Sequence, residues 1–123
     1  MIDHVSIPVR DFEASKAFYE RVLAPIGYTK LMEVPGAVGF GMGGKPDLWL
    51  ETANAKVATL HVAVRAMDRE AVHGFHREAL AAGGRDNGPP GPRPNYGPTY
   101  YAAFVHDPDG HNLEVVCHCA EGE

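Results

Sequence analysis

Residues 4–27 read HVSIPVRDFEASKAFYERVLAPIG, and residues 61–84 read HVAVRAMDREAVHGFHREALAAGG. Laid over each other at an offset of 57, they agree at His4/His61, Val5/Val62, Asp11/Asp68, Glu13/Glu70, Ala14/Ala71, Phe18/Phe75, Leu23/Leu80, Ala24/Ala81 and Gly27/Gly84. Nine identities in 24 gapless positions mark an internal repeat: one supersecondary unit used twice.

Each copy predicts the same elements. Residues 2–9 and 60–66 alternate and are rich in β-branched side chains, which predicts a strand opening each half. Asp11 and Asp68 follow as helix N-caps. Phe12, Ala14, Phe18, Val22 and Leu23 recur near helical spacing in the first half, and Val72, Phe75, Ala79 and Leu80 in the second. Pro25 with Gly27, and the pair Gly83-Gly84, end the two helices. Strands are expected at 28–34, 37–42 and 47–52, then near Arg85, at 99–105 and at Asn112–His118. Both halves therefore read βαβββ, an α+β fold. Neither half is large enough to bury its sheet alone, so 1–123 is one domain built of module one, 1–56, and module two, 57–123. Residues 86–98, DNGPPGPRPNYGP, hold five prolines and three glycines and are expected as a surface loop, either a connector or the rim of a pocket.

Composition narrows the function classes. Hydrophobic residues make up 45% and charged residues 22%, as in an ordinary globule. Eleven Lys+Arg against sixteen Asp+Glu leave a net charge of −5, with no basic face for a nucleic acid. Apolar runs are far too short for a membrane span, and the opening MIDHVSIPVRDFE lacks a secretory core, so the expected location is cytoplasmic. Cys117 and Cys119 are poorly spaced for a mutual disulfide and are expected as free thiols; with His118 they form only half of a structural zinc site.

The repeat also indicates a site. His4 and His61 start equivalent strands and share a face with Ser6 and Ala63, while Val5, Ile7, Val62 and Val64 turn toward the helices. The histidine face is thus expected to line a cavity. Asp107-Pro108-Asp109-Gly110 is strong turn chemistry, after which Glu114 sits in an apolar strand. A lone buried carboxylate is costly there, so Glu114 needs a cationic partner or a metal. Two histidines and one carboxylate form the facial set that divalent transition metals accept.

These residues resemble the vicinal oxygen chelate superfamily, which includes glyoxalase I, extradiol dioxygenases and the fosfomycin- and bleomycin-resistance proteins. The resemblance spans the chain: Asp3-His4-Val5, Phe18-Tyr19, Leu60-His61-Val62-Ala63, and Asp107-Pro108-Asp109-Gly110 before Leu113-Glu114. It implies two tandem βαβββ modules forming an open mixed-sheet barrel, with His4, His61 and Glu114 around one divalent ion (Fe, Mn, Ni, Co or Zn). It further implies a small-molecule substrate bound through two adjacent oxygens, and a homodimer. Glyoxalase I enzymes add a carboxylate from the first module, for which Glu51 is the nearest candidate, as a ligand or the proton-shuttling base; its alternative is a solvated strand-end charge. Arg65 shares a strand face with His61 and is a candidate anchor for a substrate carboxylate or phosphate, or else a salt bridge at the sheet end. Tyr101, with Tyr96 and Tyr100, flanks the Pro-rich loop as a candidate pocket residue. Two other readings stay open. One is an extradiol-type Fe(II) dioxygenase, with His106 or His118 as its second-sphere group. The other is a metal-free drug-sequestering protein, in which Trp49 and the tyrosines would suit a cationic aromatic ligand.

Overall fold

The repeat becomes two copies of one sheet. In the computed structural model, which describes residues 1–53 and 56–121, the elements are β1 (Val5–Val9), α1 (Phe12–Leu23), a 3₁₀ turn (Ala24–Ile26), β2 (Thr29–Val34), β3 (Ala37–Gly41), β4 (Leu48–Thr52), β5 (His61–Arg65), α2 (Arg69–Ala81), β6 (Arg85–Pro92), β7 (Tyr100–His106) and β8 (Asn112–His118). Strand order is β1-β4-β3-β2 in one sheet and β5-β8-β7-β6 in the other. The first strand of each sheet runs parallel to the last, and the other neighbours are antiparallel. No strand ladder joins the two sheets among the described residues, so the barrel is open.

Local chemistry sets the helix ends. Asp11 accepts from the Ala14 amide at 3.1 Å and Asp68 from the Ala71 amide at 2.8 Å, each satisfying an orphan donor of a first turn. Gly27 and Gly83, at φ +89° and +93°, supply the left-handed turns that leave the helices. Asp68→Ala is expected to cost about 1 kcal/mol of stability, read by urea unfolding, because the cap is lost while the helix face stays packed.

Each helix covers one face of its sheet. Ile7, Val9, Val38, Phe40, Leu48 and Leu50 are buried beneath α1, with Phe18, Tyr19, Val22 and Leu23 above them. Val72, Phe75 and Ala79 of α2 do the same over Val64, Val105, Leu113 and Val115. The opposite face of each sheet carries no helix. Those uncovered faces hold the histidines.

Two expectations are corrected. The Pro-rich stretch is not all loop: Arg85–Pro92 forms β6. Proline is tolerated there because β6 is an edge strand paired only with β7, and its register shifts twice, around Gly88. Cys117 and Cys119 are paired rather than free; two positions apart, their side chains leave the strand on the same side, with Cα atoms 5.2 Å apart, inside disulfide reach.

Candidate functional site

Glu114 is the most constrained polar residue on either open face. Its strand neighbours are Ala63 on β5 and Phe104 on β7, and only 2% of its surface is exposed. The His61 Nε2 lies 2.8 Å from Oε1, and the Tyr100 hydroxyl donates to Oε2. Tyr100 starts four positions from Phe104 and reaches back along the strand, past the buried pair Ala102 and Val116. Burial, then the bond to Glu114, pushes the Tyr100 phenol up to about 12, so it stays protonated and keeps donating. A cleft of about 500 Å³ opens over this group, lined by His61, Tyr100, Phe104, Glu114, Asn95 and Tyr96. Arg93 lies over the Phe104 ring at 5.4 Å and donates to the Gly91 and Pro89 carbonyls, holding the end of the Pro-rich segment beside the cleft.

The other open face carries His4. Its Nδ1 is 2.8 Å from Asp3 Oδ1, which fixes the tautomer and leaves Nε2 as the free donor atom. Lys45 pairs with the other Asp3 oxygen, and Lys45 first, then His4, holds the Asp3 carboxyl below its usual value. His4, Ser6, Lys45, Trp49 and Glu51 line a second cleft of about 500 Å³. Glu51 therefore faces this cleft.

Its register, however, is displaced from the position the repeat requires. Ser6 and Ala63 are equivalent at the offset of 57; Ala63 pairs with Glu114, whereas Ser6 pairs with Trp49. The counterpart of Glu114 is thus Trp49. Glu51 lies two residues further along the same face, about 7 Å at the usual strand rise. Across the ladder the neighbours are exchanged too: Trp49 faces Gly39, while Glu114 faces Phe104. A Cβ on Gly39 would fall 2.9 Å from the indole and 2.8 Å from Pro46, so only glycine admits Trp49 there.

The remaining candidates divide. Arg65 is exposed and lines a groove with Asp3 and His4 where the β1 and β5 edges meet. Tyr101 is on the wrong face: it is 8% exposed, its hydroxyl is 2.6 Å from His73 on α2, and Arg69 lies over its ring. Strand alternation puts Tyr100 in the cleft instead. His118 packs edge-on against Tyr100 at 5.3 Å, and His106 lies at the other end of β7, with Nδ1 3.4 Å from the Gly110 carbonyl. Tyr100 and Trp49 are legible in the sequence only as candidate pocket aromatics; that Tyr100 bonds Glu114 and that Trp49 is the counterpart of Glu114 depend on inter-strand register.

His4, His61 and Glu114 do not converge within one chain. Among the described residues, the three-residue group close enough to hold an ion is Asp107, Asp109 and His111. Its donor atoms are already engaged. His111 Nδ1 accepts from the Leu60 amide, so Nε2 carries the proton and donates to the Pro8 carbonyl. Asp107 accepts from Tyr19 and two backbone amides, and Asp109 from Arg10. That cluster ties module two to β1 and α1. On the open faces, His4 keeps Nε2 toward one cleft, while His61 Nε2 and Glu114 Oε1 lie 2.8 Å apart in the other.

Comparison with curated protein sequences returned no match. Among solved structures, a glyoxalase/bleomycin resistance protein from Albidiferax ferrireducens T118 is 26% identical, with 94% of this chain and 96% of that one covered and a TM-score of 0.79. A glyoxalase-related enzyme from Fulvimarina pelagi is 22% identical, with 95% and 87% covered and a TM-score of 0.72. Lactoylglutathione lyase from Agrobacterium tumefaciens is 23% identical, with 95% and 92% covered and a TM-score of 0.70. The profile of one family matches residues 1–115, so the chain, with its two βαβββ modules and paired histidine faces, belongs to the Glyoxalase/Bleomycin resistance protein/Dioxygenase superfamily.

Proposed function

We propose that the protein is a divalent-metal-dependent enzyme acting on a small molecule through two adjacent substrate oxygens. Two copies would complete the centre, with His4 on one copy and His61 and Glu114 on the other. The observation that carries this reading is the buried Glu114 carboxylate, with Oε2 held by Tyr100 and Oε1 turned to His61 Nε2 at 2.8 Å. A homodimer would join the two half-sets that each chain carries on separate open faces, and among the described residues β1 and β5 each pair on one side only.

An ion held there supplies Lewis-acid stabilisation of negative charge developing on the substrate oxygens. The chain's residues do the rest. Glu51, displaced from the ligand position but facing the cleft, is the base that takes and returns a proton. It makes no side-chain ion pair among the described residues, which leaves its carboxylate available. Arg65, at the edge shared with His4, anchors a substrate carboxylate or phosphate. Asp3 keeps His4 in the tautomer that offers Nε2.

Trp49 in the counterpart position of Glu114 favours a second reading, an Fe(II) extradiol-type dioxygenase. With an indole there, three protein ligands remain, the set that leaves positions open for substrate and oxygen. Elemental analysis of chelator-free protein tests both readings. About one equivalent of Fe, Mn, Ni, Co or Zn is expected, lost in the triple variant His4→Ala, His61→Ala, Glu114→Ala. Iron supports the dioxygenase, and nickel, cobalt or zinc the glyoxalase-like lyase. No metal after reconstitution with each ion overturns the catalytic reading and leaves ligand sequestration.

A further inference from the structure

We propose that Arg93 is a positioning residue for substrate: its guanidinium clips the Pro-rich rim so that Asn95 presents its amide over the His61/Glu114 cleft. The site then selects substrates carrying a neutral hydrogen-bonding group beyond the two chelating oxygens. The substrate class rests on the metal-dependent reading; the clip does not. Residues 88–98 contain five prolines, none with an N–H to give. Pro89 and Pro90 also fall within the register shift between Gly88 and Gly91, so the ladder with β7 gives them no partner. Arg93 supplies the missing donors from its side chain: Nη2 reaches the Pro89 carbonyl and Nη1 the Gly91 carbonyl, both at 2.8 Å. The glycines leave room for it. A Cβ on Gly88 would fall 3.2 Å from Nη2 and 2.9 Å from the Phe104 ring, and one on Gly91 3.2 Å from Nη1. The main chain of Arg93 fixes the turn that follows. Its N–H donates to the Tyr100 carbonyl at 2.8 Å, and its carbonyl accepts from the Tyr96 N–H at 2.9 Å. One residue thus holds both arms of the rim, and it does so against Tyr100, whose hydroxyl holds Glu114. Within that turn Asn95 lines the cleft. His61, Glu114 and Tyr100 are committed to one another there, while the Asn95 amide makes no side-chain hydrogen bond among the described residues. An amide both donates and accepts, which matches an amide or hydroxyl on the substrate.

Hydrogen exchange tests the clip without metal or ligand. In Arg93→Lys, which keeps the charge but not the planar fork, the Tyr96 amide is expected to exchange at least about tenfold faster, the size of a lost hydrogen bond to a charged group. Amides of β8 should be unchanged. The recognition test uses cobalt-loaded protein and two hydroxamates of matched size that chelate through the same two oxygens: 2-acetamidoacetohydroxamate and its aliphatic counterpart, 4-methylpentanohydroxamate. The ratio of their affinities, read by calorimetry, is expected to fall about fivefold in Asn95→Ala, the size of one hydrogen bond. Arg93→Lys should lower the ratio by a similar factor, and the double variant by no more than either alone, because Arg93 acts through Asn95. Cobalt uptake should match the wild type in every variant. A ratio that Asn95→Ala leaves unchanged overturns the recognition, and wild-type exchange at Tyr96 in Arg93→Lys overturns the clip. A merely structural Arg93 would speed exchange yet leave the ratio alone, which also overturns the proposal. Circular dichroism separates these results from a folding defect. A wild type that takes up no cobalt overturns the metal reading and the substrate class with it, an outcome distinct from cobalt-loaded protein blind to the amide.

Discussion

Glu114→Gln is expected to abolish metal retention while leaving the fold intact, and Tyr100→Phe to weaken it ten- to a hundredfold. Glutamine keeps the volume of Glu114 but replaces an anionic oxygen with an amide. Phenylalanine keeps the carboxylate and removes the donor that holds Oε2. Partners of metal ligands are typically worth 10–100-fold in affinity, and loss of the ligand itself costs at least the upper end of that range. The measurement is a thermal melt with and without metal. Binding at a hundredfold excess over Kd adds about 2.7 kcal/mol to stability, which appears as a clear rise in Tm for the wild type. Glu114→Gln should melt near the wild-type apo protein and gain nothing on metal addition. Tyr100→Phe should gain only part of the rise, recovered at higher metal. If Glu114→Gln responds to metal as the wild type does, the open faces are not the metal centre. If Tyr100→Phe does so, the hydroxyl only fills space beside Glu114.

Much of this arrangement is legible in the sequence. The offset of 57 between His4 and His61 places equivalent side chains at equivalent strand starts, and the two sheets do carry them on uncovered faces. Asp11 and Asp68 were readable as caps because the chemistry of a cap is local. The ends of most strands agree to within a residue, since alternation and turn residues are local signals too; β1 is the exception, starting at Val5 and not at residue 2. What failed was non-local. Tyr101 and Tyr100 are adjacent, and only the pairing of β7 with β8 decides which one meets Glu114. Residues 86–92 form a strand because the edge position excuses their prolines, and no window of sequence announces an edge. The displacement of Glu51 from the ligand position needed both the β1–β4 and β5–β8 registers. Glu51 and Glu114 stand 63 residues apart, against 57 for the histidines, and spacing alone does not say where the six extra residues fall. The ladders instead assign the counterpart position to Trp49.

The Asp-Pro-Asp-Gly turn is one of the stretches that carry the family resemblance, and its contacts here are mechanical. Asp107 is 4% exposed; Oδ1 accepts from the amides of Asp109 and His111 at 2.9 and 2.8 Å, and Oδ2 from the Tyr19 hydroxyl at 2.6 Å. Asp107→Ala strips three donors of their acceptor and leaves the Tyr19 hydroxyl buried without a partner. Such a loss costs about 3–5 kcal/mol, a large part of a small domain's total stability. Asp107→Asn, which keeps an acceptor for the amides, should cost less, and Tyr19→Phe less again. Alkaline unfolding separates the contributions. Burial, then the nearby Asp107 charge, holds the Tyr19 phenol well above its usual value. The unfolded chain releases that proton near pH 10 while the folded chain keeps it, so this stability is complete below about pH 10 and declines above it. Tyr19→Phe should flatten that decline, leaving the part due to Tyr28 and Tyr100, both pushed up to about 12. Metal content in the surviving folded fraction of Asp107→Asn should match the wild type, because the turn positions module two against β1 without contributing a ligand. A variant of Asp107 that melts with the wild type yet loses its metal would reverse the assignment, making the turn the metal centre and the open faces the scaffold.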